Sequence, residues 1–271
     1  MQNWYFPHEG IRFLVMLAFV VMISVGLAAA ILIRRKKLSR NLKILLLLIS
    51  FSFGGLLLGG VPNVVLIIQN IFADVAVPSL WLPLLMRTMI FLGLTLFFGR
   101  IFCGYVCPLG AAQELASISK FKTKVNPKRV YQKRTSLIRW GFFLVYAAAS
   151  VIWGLEATLF MNPINGFLLP WTPFNLMLVV AAIFAVASVL IGIFIYRPYC
   201  RFLCPFGTLA SLLGRLSPLK LRRTEDCTEC GICEKICPTQ ESYADSKMAE
   251  CYYCNRCVEA CRHDAIEYSM R

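Results

Sequence analysis

Histidine is nearly missing from this chain, with 2 in 271 residues. Neither His8 nor His263 lies in a long apolar run, which excludes a cytochrome holding haem b between paired histidines. No C-x-x-C-H, G-x-G-x-x-G or Walker A pattern occurs, so covalent haem, a Rossmann dinucleotide site and a P-loop are excluded too. Acidic residues are also scarce: residues 1–224 hold 4 (Glu9, Asp74, Glu114, Glu156) against 23 Lys and Arg, whereas residues 225–271 hold 10 against 5. The net charge of +14 is therefore a collar of basic residues beside apolar runs, not a nucleic-acid-binding face, and nucleic acid is not an expected partner. No cysteine is scattered. All 12 fall into four compact groups, which argues against a disulfide scaffold and for a reducing compartment.

What is abundant is apolar: 58 % of residues are hydrophobic, only 15 % are charged, and the mean hydropathy is +0.67. This is a membrane protein's composition, and the lipid bilayer is its first expected partner. Five spans are expected, at residues 11–33, 44–70, about 81–102, about 137–155 and 176–196. Each has about 20 residues, enough at ~1.5 Å per residue to cross a ~30 Å hydrocarbon core. Gly55 and Gly59 in the second form a small-residue face that lets another helix approach. Basic clusters follow the first span (Arg34 to Lys43) and the third (Lys120 to Arg139), while the intervening connections have none. By the positive-inside rule the N-terminus lies outside and the C-terminus in the cytoplasm. The expected fold is an all-α integral membrane bundle of about five transmembrane helices, with a small cytoplasmic α+β two-cluster ferredoxin domain at the C-terminus. Its expected units are residues 1–43 (an extra span and basic inner loop), 44–113 (a first helix hairpin), 114–136 (a basic cytoplasmic loop), 137–214 (a second hairpin) and 215–271 (the ferredoxin domain).

The tail carries C-x2-C-x2-C-x3-C-P at Cys227, Cys230, Cys233, Cys237 and Pro238, then C-x2-C-x2-C-x3-C at Cys251, Cys254, Cys257 and Cys261. Eight cysteines at this spacing are the ligands of a ferredoxin with two [4Fe-4S] clusters, the fourth of each run serving the other cubane. One cluster is thus assigned to Cys227, Cys230, Cys233 and Cys261, the other to Cys251, Cys254, Cys257 and Cys237. Zinc knuckles also use C-x2-C, but not a third cysteine at the same spacing with a fourth at x3 and a proline after it.

The other four cysteines belong to an internal repeat. R-x-[FY]-C-x3-C-P-[LF]-G occurs at Arg100–Gly110 and, 97 residues later, at Arg197–Gly207. Pro62-Asn63 and Asn162-Pro163 precede the two copies at the outer side. Two hairpins inserted in the same orientation are related by a pseudo-two-fold axis along the membrane normal, which brings Cys103, Cys107, Cys200 and Cys204 to one level, expected near the cytoplasmic surface. Three readings stay open: ligands of a third cluster or of a metal ion, two dithiol–disulfide pairs, or inert buried thiols beside a helix-breaking proline. Arg100 and Arg197 either stabilise thiolate charge or anchor the helices at the inner headgroups.

With both C-x3-C-P motifs, Asn162-Pro163 and the eight tail cysteines in place, residues from about 40 to 265 resemble the NapH/NosR-type membrane iron–sulfur proteins. The resemblance implies electron transfer between membrane quinol and a partner redox enzyme or its maturation, with other redox subunits as partners. The span at 11–33 is an addition, and the ten residues before it are too few for the flavin-binding domain of larger members. A nitrate- or nitrous-oxide-specific role is therefore not expected. A second branch of relatives reduces copper, so a metal reductase or maturation factor is the alternative function, and a scaffold subunit of a larger redox complex the second alternative. For quinol oxidation, Glu156 at the outer end of the fourth span is the candidate proton acceptor, with Arg87 in the third span as its neighbour. Quinone joins the clusters as an expected cofactor; haem and nucleotide do not.

Overall fold

The computed structural model describes residues 9–60, 63–73, 78–120, 132–243 and 246–270. Helix α1 (Glu9–Arg34) leads into α2 (Arg40–Ile49), whose first turn is capped by Ser39 accepting from the Leu42 N–H at 3.3 Å. It continues as a π-helical stretch, Ser50–Leu57. The chain then turns at Gly59 and Gly60, with φ of +63° and +89°. A Cβ on Gly60 would sit 2.7 Å from the Ile164 carbonyl oxygen, so both the dihedral and the close approach demand glycine there. Helices α3 (Val64–Ala73) and α4 (Pro78–Phe98) follow.

The expected span at 44–70 is thus two helices with a glycine turn between them, because a hydropathy window does not register a change of direction within an apolar run. A Cβ on Gly55 would meet the Phe167 ring at 3.3–3.4 Å and Pro108 at 3.4 Å, while Gly59, the other half of the expected small-residue face, lies in the turn. Among the described residues, Arg40–Leu57 and Thr135–Gly154 are long and apolar enough to cross a membrane, and Val20–Arg34, Thr88–Phe98 and Leu176–Gly192 are shorter apolar helices.

The second half repeats the plan. Helix α6 (Gln132–Thr158), kinked at Gly154, ends in a 3-10 segment, Pro163–Trp171, and α7 (Leu176–Gly192) returns. Asn162 caps the 3-10 segment by accepting from the Ile164 N–H at 3.2 Å. It also donates to Asn63 at 3.1 Å, and Asn63 donates to Asn165 at 2.9 Å, so the elbows of the two halves are tied by side-chain amides. Apolar side chains point outward all along these helices, among them Leu48 and Leu56, Met89 and Phe97, Leu144 and Ile152, and Ile183 and Leu190.

Short helices α5 (Pro108–Lys120) and α8 (Pro205–Gly214) start directly after the C-x3-C-P cysteines, each with proline at its first position. In the tail, β1 (Leu219–Arg223) pairs antiparallel with β2 (Ile266–Met270), from Leu219 opposite Met270 to Arg223 opposite Ile266. All eight tail cysteines lie between these strands, along with α9 (Ile232–Ile236) and α10 (Arg256–Glu259). The tail is docked on the bundle. Tyr105 donates to the Tyr253 carbonyl at 2.9 Å and Asn255 to the Leu38 carbonyl at 3.1 Å, both buried.

Candidate metal centre

Both C-x3-C-P loops wind as one π-helical turn, Phe102–Val106 and Tyr199–Leu203, a geometry frequent at functional sites. Their backbone bonds match pair for pair. Cys107 N–H donates to the Phe102 carbonyl at 3.0 Å and Cys204 N–H to the Tyr199 carbonyl at 2.9 Å; Ala111 N–H reaches the Cys107 carbonyl at 2.8 Å and Thr208 N–H the Cys204 carbonyl at 3.1 Å. The proline after each second cysteine starts α5 or α8, so two helix N-termini point at the cysteines, where their dipoles favour negative charge. Cys204 Sγ accepts from the Gly207 N–H at 3.3 Å.

Each loop is closed by the other half. Arg197 donates to the Cys103 carbonyl at 2.6 Å and the Gly104 carbonyl at 3.1 Å, while Arg100 donates to the Cys200 carbonyl at 3.4 Å. Both arginines are 1 % exposed, so they serve the loops and do not reach headgroups. The ring of Tyr252 lies between them, 4.3 Å from the Arg100 guanidinium carbon and 4.7 Å from that of Arg197, and its hydroxyl donates to the Cys200 carbonyl at 3.2 Å.

Cys103, Cys107, Cys200 and Cys204 all line one cavity, together with Arg100, Phe102, Tyr199, Phe206, Val64 and Ile164. Cys237, Cys251, Cys254 and Cys257 line a second, which Tyr252 and Arg256 also border. Tyr252 thus lines the second cavity and meets the wall of the first through Arg100 and the Cys200 carbonyl. Of the remaining four, Cys233 packs with Cys257, Ile266 and Cys261, Cys227 is half-buried, and Cys230 is exposed.

A family profile described as a 4Fe-4S binding domain matches this chain twice, at residues 80–126 and 177–224. Each match contains one C-x3-C-P loop, and neither reaches the tail cysteines. NirI of Paracoccus denitrificans is 31 % identical over 278 residues, covering 94 % of this chain and 39 % of that protein. The regulatory protein NosR of Stutzerimonas stutzeri is 29 % identical over 174 residues, covering 60 % and 23 %. The chain is similar to the NosR-type membrane iron–sulfur proteins. The putative electron transport protein YccM of Escherichia coli is 28 % identical over 204 residues, covering 68 % of this chain and 55 % of that one. The chain spans between about a quarter and about half the length of these three relatives. No solved structure matches.

The residues around the cavities fit clusters on grounds of charge. Among the described residues six cations are buried (Lys43, Arg100, Arg139, Arg197, Arg201, Arg256) against three carboxylates (Glu114, Glu241, Glu250). Glu114 accepts from Lys43 at 2.8 Å, Arg256 at 3.0 Å, Arg197 at 3.1 Å and Tyr196 at 2.7 Å. Burial alone would raise its carboxyl, but Lys43, Arg256 and Arg197 hold it well below the usual carboxylate range. Glu250 takes Arg139 at 3.0 Å and Arg201 at 3.3 Å. Three positive charges remain, and Arg100, on the wall of the four-cysteine cavity, has its Nε and Nη1 without a hydrogen-bond partner. A buried excess of cations is stable only beside anions, and a cubane held by four thiolates carries about two negative charges. Among the described residues no three His, Cys, Asp or Glu side chains meet closely enough to hold one metal ion. A cubane carries each thiolate on a different iron, so its ligands need not converge on one point.

Arg87 in α4 and Glu156 in α6 have side chains outside the described residues. Sequence reasoning missed Glu114, Glu250 and Tyr252. For Glu114 a signal existed: it is one of 4 acids among the first 224 residues. A lone acid amid basic residues marks a buried counter-ion as readily as a loop.

Proposed function

We propose that this chain is a membrane electron conduit holding three [4Fe-4S] clusters: one on Cys103, Cys107, Cys200 and Cys204, one on Cys237, Cys251, Cys254 and Cys257, and one on Cys227, Cys230, Cys233 and Cys261. When bound, thiolate-held cubanes supply one-electron transfer. The observation that carries the reading is the pair of cysteine-lined cavities, linked by the contacts of Tyr252 to Arg100 and the Cys200 carbonyl and set in a buried shell with more cations than carboxylates.

The chain's own residues then have distinct tasks. Arg100 and Arg197 hold the two loops in register and offset thiolate charge. Tyr252 packs its ring between the two guanidiniums and braces the Cys200 carbonyl with its hydroxyl. Lys43, donating to the Cys254 carbonyl at 2.7 Å, fixes the tail against α2. Exposed Cys230 puts the outermost site where a partner redox protein can reach it, on the cytoplasmic side by the positive-inside rule. At the other end we assign exchange with membrane quinone, with Glu156 as proton acceptor and Arg87 as its neighbour.

Iron and acid-labile sulfide per chain, with EPR, test the cluster number. About twelve irons are expected in the wild type and about eight in Cys107→Ser/Cys204→Ser. About eight in both, with unchanged EPR, would remove the third cluster. A reduced quinol analogue should bleach the oxidised cluster absorbance, and Glu156→Gln should slow that bleaching.

A further inference from the structure

The sequence reading puts the C-x3-C-P cysteines near the cytoplasmic surface, but the apolar belt of the bundle puts them deeper. On α6 exposed apolar side chains run from Leu137 to Trp153, about 24 Å at ~1.5 Å per residue. Between them Tyr146, fully buried, joins the core cluster that contains Cys103, Cys200 and Cys204. It stands about 14 Å above Leu137 and about 10 Å below Trp153.

Helix α7 agrees. Its exposed apolar residues run from Leu176 to Ile191, and the side chains that meet the site are Ala185, in the same cluster, and Phe184, edge-on to Tyr199 at 5.8 Å. Ala185 is about 14 Å from one end of that belt and about 9 Å from the other. On α4, Phe91 meets Phe102 edge-on at 5.0 Å, again between exposed Met86 and Phe97. The tail meets the bundle lower down, where Arg139 pairs with Glu250 only two residues beyond Leu137. Helices α5 and α8 cover the difference in height. Each runs from the four-cysteine cavity towards the tail, α5 to Glu114, which binds Arg256, and α8 to Ser211, which accepts from Arg139 at 2.9 Å.

We infer that the four-cysteine site lies near mid-bilayer, so that an electron passing between it and the tail clusters crosses about half the membrane and feels the transmembrane potential. This rests on the cluster proposed for those cysteines. The step is balanced by itself: one centre is oxidised by one electron, the other is reduced by one, and no further reactant takes part. A tail-side potential made negative drives electrons inward to the buried site; the opposite potential draws them out.

The test uses the full chain in vesicles with a potassium gradient and valinomycin, partly reduced by dithionite and read by EPR. The signal missing from Cys107→Ser/Cys204→Ser identifies the buried site. Making the tail side ~100 mV negative should raise the ratio of reduced buried site to reduced tail clusters about sevenfold, half of the potential's full effect on one charge. Where the double variant does not accumulate, the share of wild-type spins that follows the potential gives the same answer. A buried-site signal indifferent to potential overturns the depth, as does a change of about fiftyfold, which would place the site at the far surface. Absence of that signal, with about eight irons per chain, overturns the cluster and this inference with it.

Discussion

Replacing Glu114 with glutamine is the sharpest test of the buried charge network. The side chain is 1 % exposed and binds Lys43, Arg256, Arg197 and the Tyr196 hydroxyl at 2.7–3.1 Å. Removing one partner of a buried ion pair costs about 3–5 kcal/mol, chiefly because the other charge stays buried and uncompensated. Here three cations lose their carboxylate at once, while the glutamine oxygen still accepts from one or two donors. We therefore expect about 3–5 kcal/mol, a loss of at least a hundredfold in the folding equilibrium. The network joins α2, α5, the Arg197 loop and the tail, so the tail should loosen first. Unfolding in mixed micelles of increasing denaturing detergent gives the energy. Limited trypsinolysis at exposed Arg215, just before β1, reports tail release. Adding Lys43→Met to Glu114→Gln should recover part of the loss, since one stranded cation is removed. A loss below about 1 kcal/mol, or a fully additive double variant, would refute the account of Glu114 as a common counter-ion.

Glu114 also predicts a pH profile. A carboxyl held below its ordinary value of 4.5 contributes its full stability above that pH and loses it as pH falls through the lower folded-state value. The stability gap between wild type and Glu114→Gln should thus be constant from about pH 8 to about 5 and close only in stronger acid; a gap closing near neutrality would contradict the ion pairs. A Cβ on Gly110 would overlap the Cys103 carbonyl oxygen, and one on Gly207 would lie 2.8 Å from that of Cys200. Either glycine changed to alanine should lower iron by up to about four per chain while sparing the tail clusters, as metal analysis with EPR would show. Tyr252→Phe keeps the ring between two guanidiniums but loses the bond to Cys200, and should cost about 1 kcal/mol. Tyr252→Leu also loses the cation–π contacts, should cost about 2 kcal/mol more by detergent unfolding, and should slow electron exchange between the centres in flash reduction. Equal behaviour of the two would deny the ring its role.

The cysteine spacing divides the tail into two expected ligand sets, and Cys237, Cys251, Cys254 and Cys257 line one cavity. The repeat was legible as well, because identical neighbours around Cys103 and Cys200 imply identical turns, and both loops are π-helical. Three things were not legible. The glycine turn inside residues 44–70 hides in an unbroken apolar run, since hydropathy averages over direction. The depth of the site depends on which residues face outward beside it, which needs the packing of α6 and α7. The partners of Arg100, Arg197 and Glu114 are 82 to 142 residues away in sequence for most of their bonds, and no local pattern records them. Tyr252, between two tail cysteines, reads as a spacer until its ring is seen between two arginines.

The crossed bonds of Arg100 and Arg197 have an implication for how such a chain arose. Each copy of the motif is completed by the arginine of the other, the relation that two identical subunits have across an isologous interface. A single hairpin could not have closed its own loop, so the ancestral form implied is a homodimer whose gene was duplicated and fused, the join falling in the segment at 121–131. The halves differ at many positions, one of them central to the charge network: Glu114 in the first faces the cations of Lys43 and Arg256, while its counterpart, Ser211, meets Arg139. A chain severed in that segment and produced as two pieces should therefore reassemble around the four shared cysteines.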